Sequence, residues 1–314
     1  GVAGTAVGPC VGGLLTQVFA WQSIFVVQIP FALLAVPAAL VTRAPHPPLP
    51  ERHRPAVGPN VTLALLSGAL TAALFLVVLL LVDGWHRSAA TAAVTVSVVP
   101  TAALLARPIV RRVPAHPGAV TATGCLLVAG GLVALALPPS SHLGWTIAPQ
   151  ALVGFGLGLT LDRLVLDAMR DRSPRALHGG WTIAARHIGV VLGLALLTPV
   201  FTADLKHAQL QAEEAITRLV LDAPIPGQSK IAVAHGLAEQ LNREQGQIPD
   251  LHRAFSRVQL RTEQRPVAAQ LERNLDDQLA RAASRALRNA FLVGAGLALA
   301  AVASSIRVRR RAAP

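Results

Sequence analysis

Four ionisable residues lie within long apolar runs or at their ends: Asp83, Asp162, Arg186 and His187. A charged group inside an apolar membrane segment is unfavourable, and it usually takes part in ion pairing, proton transfer or substrate binding. Of the 16 acidic residues in the chain, 11 fall in one polar region, residues 202–288. Asp162, in the run GFGLGLTLDRLVLDAM, is the acid placed deepest in an apolar run. It is therefore the first candidate for a proton or substrate site.

Asp162 and Arg186 are predicted to lie at the same depth of an antiparallel helical hairpin. Pro174 marks the turn, and the two residues lie 12 residues before it and 12 residues after it. An ion pair between their side chains is therefore expected. The alternative is that each side chain extends separately to the cytoplasmic interface, with its aliphatic part in the bilayer.

Asp83 and His187 can each be interpreted in two ways, one structural and one functional. Asp83 ends an apolar run beside Gly84 and Trp85, and we expect an exposed interfacial acid there, with a functional acid as the alternative. His187 is of a type that titrates near neutral pH. It is interpreted as a polar cap at a helix end, with a proton relay as the alternative.

The elements that must position these residues are apolar helices. Of the 314 residues, 53% are hydrophobic and 14% are charged, whereas soluble globular domains contain about 25% charged residues. A membrane-spanning helix needs about 20 mostly apolar residues. Eight windows meet this requirement: Val2–Phe19, Ile24–Val41, Val61–Val82, Ala89–Ala106, Ala119–Leu137, Trp145–Val165, Trp181–Phe201 and Asn289–Ile306. The sequence therefore predicts an all-α, polytopic membrane protein, with Cys10 and Cys125 as small buried side chains inside these runs.

The short loops between the windows alternate in their content of basic residues. The loops on one side and the C-terminal tail carry fourteen arginines: Arg43, Arg52, Arg54, Arg107, Arg111, Arg112, Arg163, Arg170, Arg172, Arg175, Arg307, Arg309, Arg310 and Arg311. The short loops on the other side carry only Arg87. Basic loops stay in the cytoplasm, so we expect a multi-pass protein of the cell membrane with these loops and the tail inside. The net charge of +12 is then a topology signal, and no nucleic-acid partner is expected.

The polar region, residues 202–288, is predicted to lie outside the cell. It contains 12 basic and 11 acidic residues and is nearly neutral. Apolar residues recur every three or four positions in LKHAQLQAEEAITRLVL and in VAAQLERNLDDQLARAASRALRNAF, a spacing typical of helices. With DAPIPGQ as a turn, we predict a helical hairpin that stands off the membrane, its second arm continuous with the last spanning helix. A mobile solvated loop is the alternative.

The opening stretch, GVAGTAVGPCVGGLL, follows the pattern G-x-x-x-G-P-x-x-G-G with Gly4, Gly8, Pro9, Gly12 and Gly13. Glycines four residues apart form a flat helix face on which a neighbouring helix can pack at backbone contact. Proline removes one backbone donor and kinks the helix. The pattern resembles the antiporter motif on the fifth helix of drug:proton exporters of the major facilitator superfamily, the EmrB/QacA-like antiporters.

The next segment, WQSIFVVQIP, is similar to the W-x-x-I-F-x-x-N-x-P run at the start of the sixth helix of these exporters. Trp21, Ile24, Phe25 and Pro30 match the run, and Gln28 stands in place of the usual asparagine. Two motifs in the right order and spacing are more specific than either motif alone.

A third segment, WTIAARHIGVVLGLALL, looks like the family's R-Q-x-G-x-x-x-G helix. Arg186, Gly189 and Gly193 match, and His187 replaces glutamine. A long external loop before the last helix is also seen in one branch of the family. The segment ARPIVRRVPAHPG departs from the family's G-x-L-x-D-R-x-G loop, because its arginines remain while the glycine and aspartate are lost.

The resemblance implies a chain that begins at the fifth of twelve helices. Residues 1–42 would be the last two helices of an N-terminal bundle, and residues 43–60 a cytoplasmic linker. Residues 61–314 would form a six-helix C-terminal bundle that carries the external insert, residues 202–288. The two extra central helices of fourteen-helix exporters would be absent.

The function implied is proton-coupled export of hydrophobic or cationic compounds by alternating access, performed by a monomer without a cofactor. The antiporter motif would close a leak path between the bundles, or it would serve close packing alone. The alternatives are a non-transporting membrane scaffold that binds a partner through the external hairpin, and the permease subunit of an ATP-driven transporter, which the short basic loops do not favour.

Enzymatic motifs do not occur in the sequence. It lacks G-x-S-x-G, a Walker loop, H-E-x-x-H and C-x-x-C, so neither catalysis nor a metal site is expected. Gly154, Gly156 and Gly158 superficially resemble a nucleotide-binding loop. They lie in an apolar run with no preceding strand, and close helix packing is the better interpretation.

Overall fold

The computed structural model describes residues 11–19, 22–41, 53–112, 117–222 and 265–312. Within these ranges the chain is helical apart from short connections, and it contains no strand. The predicted all-α class is thus confirmed. The helices are α1 (residues 11–18), α2 (Ser23–Val41), α3 (Val57–Leu79, extended by a π-helical turn Leu80–Gly84), α4 (Ala89–Val96), α5 (Val98–Arg112), α6 (Pro117–Ala136), α7 (Gly144–Met169), α8 (Arg175–Asp222) and α9 (Arg265–Ala312).

Five helical stretches in the described part of the chain are long and apolar enough to cross a membrane. They are Val57–Gly84, Ala89–Ile109, Gly118–Ala136, Arg175–Asp204 and Arg273–Ser305, and each overlaps a predicted window. In α2, Ser23–Leu34 forms a shorter apolar helix. Half of the predicted window Val2–Phe19, residues 2–10, lies outside the described residues.

Helix α7 covers the predicted window Trp145–Val165 but is not among the five apolar stretches. It packs against α3, α5 and α6, and its buried residues include the polar side chains of Thr146, Gln150 and Thr160. Because neighbouring helices bury these three polar side chains, they are shielded from lipid.

The helices form a front row and a back pair. In the front row α5 packs on α7, α7 packs on α3, and α3 packs on α8. Behind it, α6 packs on α7, and α9 packs on α6, α3 and α8. The buried core between the rows is mostly leucine, valine and alanine, with Phe291 of α9 as its largest fully buried side chain.

Helices α5 and α7 contact each other through glycine. A Cβ atom added at Gly154 would overlap the carbonyl oxygen of Val99, and one added at Gly158 would overlap the carbonyl oxygen of Ala103. Gly156 approaches Gly124 of α6 in the same way. The close-packing interpretation of these glycines is therefore confirmed.

Helices α3 and α8 are joined by a second glycine contact. A Cβ atom added at Gly189 would overlap the carbonyl oxygen of Ala64, and one added at Gly193 would lie 2.8 Å from the Cα of Gly68. Both pairs are spaced by four residues, so the two helices share one register over at least a turn. The two glycines of the segment WTIAARHIGVVLGLALL thus have a packing role.

Contacts at the ends of the bundle join segments that were predicted to share a side. His53 donates its backbone N–H to the carbonyl of Ser173 at 3.2 Å, and Ser173 returns its own N–H to Nδ1 of His53 at 3.2 Å. At the other end, Nε1 of Trp85 donates to Oγ of Ser284 at 3.2 Å. The predicted alternation of the loops between two ends of the bundle agrees with these contacts.

Both arms of the polar region are helical where the structure describes them. α8 continues from the bundle to Asp222, and α9 enters the bundle from Arg265. The predicted continuity of the second arm with the last spanning helix is confirmed, and the first arm is continuous with its span as well. The connection, residues 223–264, lies outside the described residues, and so does most of the predicted turn.

Helix α3 begins at Val57, four residues before the predicted window.

The glycine contacts predict a clear difference between neighbouring substitutions. Gly189→Ala should destabilise the detergent-solubilised protein by about 1–3 kcal/mol, because the added methyl group forces the backbones of α3 and α8 apart. Gly180→Ala, on the same helix, meets no atom within 4 Å and should be neutral or slightly stabilising. Thermal unfolding of both variants measures the difference, and equal stability would contradict the contact between α3 and α8.

Candidate functional site

A cavity of about 260 Å³ lies among the four helices of the front row. Its walls are mainly apolar, and three charged side chains from three different helices reach it. The lining residues are Leu63, Leu70 and Leu74 of α3, Val99, Pro100, Ala103 and Arg107 of α5, Leu157, Gly158, Leu161, Asp162 and Val165 of α7, and Arg186 of α8. The site therefore combines an apolar surface with two guanidinium groups and one carboxylate.

Asp162 forms an ion pair with Arg107. The Nη2 atom of Arg107 lies 2.5 Å from Oδ2 of Asp162 and donates a hydrogen bond to Oδ1 at 2.8 Å. The contact thus engages both carboxylate oxygens. The side chain of Arg107 is 34% exposed and that of Asp162 is 57% exposed, so the pair faces the open side of the cavity.

The register of α5 against α7 explains this pairing. Val99 faces Gly154 and Ala103 faces Gly158, and the next residues at a spacing of four are Arg107 and Asp162. Residues four apart share one helix face. The glycines bring the two backbones together one turn earlier, and the charged side chains then meet where the small residues end.

The predicted ion pair between Asp162 and Arg186 is wrong as to the partner, since Asp162 binds Arg107. The equal distances of Asp162 and Arg186 from Pro174 predict that both lie at one depth, and both side chains do line one cavity. These distances do not tell on which face of α7 Asp162 lies. Arg186 itself forms no hydrogen bond or ion pair within the described part of the chain.

His187 and Asp83 lie away from this cavity. His187 is exposed, and its Nδ1 lies 2.9 Å from the carbonyl oxygen of Ile183 on the same helix. His187 lies in the interior of α8 (Arg175–Asp222), so the predicted polar cap at a helix end is wrong. Asp83 is exposed in the π-helical turn that ends α3, which fits the interpretation as an interfacial acid.

The structure describes only part of the antiporter motif. Gly4, Gly8 and Pro9 lie outside the described residues. An added Cβ at Gly12 would meet no described atom within 4 Å, whereas one at Gly13 would overlap the Cβ of Ala93 in α4.

A hydrogen bond reinforces the contact between α1 and α4. Oε1 of Gln17, one turn after Gly13, accepts a hydrogen bond from the backbone N–H of Ala90 at 3.0 Å. Ala90 lies in the first turn of α4, where backbone donors have no partner within the helix. The described end of the opening stretch therefore packs against the start of α4.

The remaining sequence candidates contribute no second site. Cys125 is fully buried with a free thiol, as expected, and Cys10 lies outside the described residues. Within the described ranges, no three His, Cys, Asp or Glu side chains group in a way that could hold a metal ion.

The apolar windows do not reveal the role of Arg107. The window ends at Ala106, which makes Arg107 a loop residue that marks the cytoplasmic side. The structure continues α5 to Arg112. The signal that could have found the pair is the parallel spacing of four in Val99, Ala103 and Arg107 and in Gly154, Gly158 and Asp162.

Comparison with known proteins gives two matches. A sequence profile of the Major Facilitator Superfamily matches residues 1–196. A protein of Mycolicibacterium hassiacum named triacylglyceride transporter is 39% identical over 113 residues. That match covers 32% of this chain and only 21% of the relative's length, so the relative is much longer than the part shared with this chain.

Proposed function

The chain belongs to the Major Facilitator Superfamily, and from this premise we propose that it is part of a secondary transporter that exports lipophilic compounds in exchange for protons. It is a multi-pass membrane protein with an all-α fold. The observation that carries the proposal is the cavity among α3, α5, α7 and α8, because it places a carboxylate and two guanidinium groups against apolar walls between helices of the bundle. Ionisable groups in such positions commonly mark substrate or proton pathways.

The proposed mechanism is alternating access between two bundles. In this proposal residues 1–42 belong to the N-terminal bundle and residues 61–314 to the C-terminal bundle. The linker between them, predicted as residues 43–60, ends before Val57, where α3 begins. The contact of Gly13 with Ala93 supports an interface between the two. Rocking of one bundle against the other would expose a site near the membrane midplane to each side in turn.

Asp162 is the proposed proton site. Protonation would neutralise its carboxylate and remove the charge that binds Arg107 at 2.5 Å. The cavity would then carry two positive charges in place of a net charge of one. A change in the net charge of the cavity alters its affinity for a ligand, so proton binding and cargo binding can be linked.

The proposed cargo is lipophilic. The ten apolar residues of the cavity wall suit a hydrophobic compound, and the name of the mycobacterial relative, triacylglyceride transporter, also supports a lipophilic cargo. The resemblance to drug:proton antiporters favours hydrophobic or cationic drugs. A cationic drug would meet two arginines and one aspartate that is already paired. The charges of the cavity therefore favour hydrophobic compounds over cationic ones.

A non-transporting scaffold that acts through the external hairpin is not favoured. The family match extends over the bundle helices up to residue 196, and these include the helices that build the cavity. A scaffold would not need ionisable groups at this depth.

Proton-driven transport can be tested in proteoliposomes that contain the full-length protein. An imposed pH gradient should drive accumulation of a lipophilic fluorescent dye, and Asp162→Asn should lose most of this uptake because it cannot bind and release a proton. Asp167→Asn is the matched control, since Asp167 lies on the same helix and only approaches Arg170 at 4.0 Å. Dye uptake that does not depend on the pH gradient, or full activity of Asp162→Asn, would contradict proton coupling through this residue.

The proposed orientation places the basic loops and the C-terminal tail in the cytoplasm and residues 202–288 outside. It is supported by the excess of arginine at one end of the bundle and in the C-terminal tail, with Arg87 alone in the short loops of the other end. In intact cells, a membrane-impermeant thiol reagent should label Gln228→Cys and Ser140→Cys and spare His53→Cys. Labelling of His53→Cys alone would reverse the orientation.

A further inference from the structure

We propose that Arg186 binds the acidic head group, a carboxylate or a phosphate, of an amphiphile whose apolar chain lies along the cavity wall. The inference concerns the same cavity as the proposed function and rests on it only for the step from ligand to transported cargo. It assigns the sign of the ligand's charge and the residue that recognises it.

The charge balance of the cavity is the first step. Arg107 and Asp162 neutralise each other through a two-oxygen contact. Arg186 lines the same cavity and has no hydrogen-bond or ion-pair partner in the described residues. The cavity therefore carries one uncompensated positive charge, and a ligand with one negative charge would complete it.

The geometry of the guanidinium group is the second step. Its N–H donors form a planar fork that matches the two oxygens of a carboxylate or phosphate. A positive charge at membrane depth is unfavourable without a partner. Cationic and neutral head groups gain nothing from Arg186, whereas an anionic one forms charge-assisted hydrogen bonds with it.

The apolar wall is the third step. Leu63, Leu70 and Leu74 of α3 follow one another along the cavity and offer a surface for an alkyl chain. The volume of about 260 Å³ is near the lower end of the roughly 300–1,000 Å³ found for drug-sized ligands. The cavity thus suits a single chain with its head group better than a bulky ligand with several chains.

The test is an equilibrium binding measurement on the purified full-length protein, without any gradient. Three fluorescent probes share one dansyl-labelled C11 chain and differ only in the head group: a carboxylate, its methyl ester, and a trimethylammonium group. The carboxylate should bind about tenfold more tightly than the other two, as one additional charge-assisted contact predicts. Equal affinity for all three probes would overturn the proposal.

Variants assign the effect to Arg186. Arg186→Gln should weaken binding of the carboxylate probe about tenfold and leave the ester unchanged, and Arg186→Lys should retain part of the preference because it keeps the charge. Arg163→Gln is the matched control, since it removes an arginine of α7 that does not line the cavity. If Arg186→Gln weakened all three probes alike, or if Arg163→Gln had the same effect, the assignment would be wrong. Should Arg186→Gln fail to fold, the comparison of wild type with Arg186→Lys still decides.

Competition identifies the source of the acid. If laurate displaces the probe more strongly than lysophosphatidate, the ligand is a fatty acid. If lysophosphatidate displaces the probe more strongly, the ligand is an acidic phospholipid. Either result supports the proposal. Displacement by inorganic phosphate as strong as by lysophosphatidate would show an anion site without chain recognition and would overturn it. Because binding is measured without transport, a negative result here leaves proton-driven uptake of a neutral dye as an independent test of the proposed function.

Discussion

Backbone contact between helices at small residues is the constraint on which the described bundle depends. Lipid offers no hydrophobic drive for helices to associate, so close van der Waals packing has to provide it. Gly154 and Gly158 bring α7 against α5, and Gly189 and Gly193 bring α8 against α3. The cavity lies between these two close pairs, and its shape follows from them.

The same contacts fix which charged side chains meet. Gly158 and Asp162 share one face of α7, and Ala103 and Arg107 share the facing side of α5, so the pair forms where the small residues end. Arg186 reaches the cavity from a helix that is held against α3 instead. Among the described residues its guanidinium group therefore has no acidic partner, and it is available to a ligand.

Much of the fold could be predicted from the sequence, because lipid requires long apolar helices whose runs are visible in composition. The helical arms of residues 202–288 were equally readable from their spacing of three to four. The partner of Asp162 was not, since residue counting gives depth along a hairpin but not the face of a helix. The start of the antiporter motif keeps its predicted role as a proposal.

The central claim is that Asp162 is paired with Arg107, while Arg186 has no partner within the described part of the chain, and two double-mutant cycles test it most directly. The apparent free energy of unfolding in detergent is measured for Asp162→Asn with Arg107→Gln, and for Asp162→Asn with Arg186→Gln. Because the pair is 34% and 57% exposed, the first cycle should give a coupling of about 0.5–1 kcal/mol. The second should give less than half of that. A larger coupling between Asp162 and Arg186 than between Asp162 and Arg107 would contradict the account.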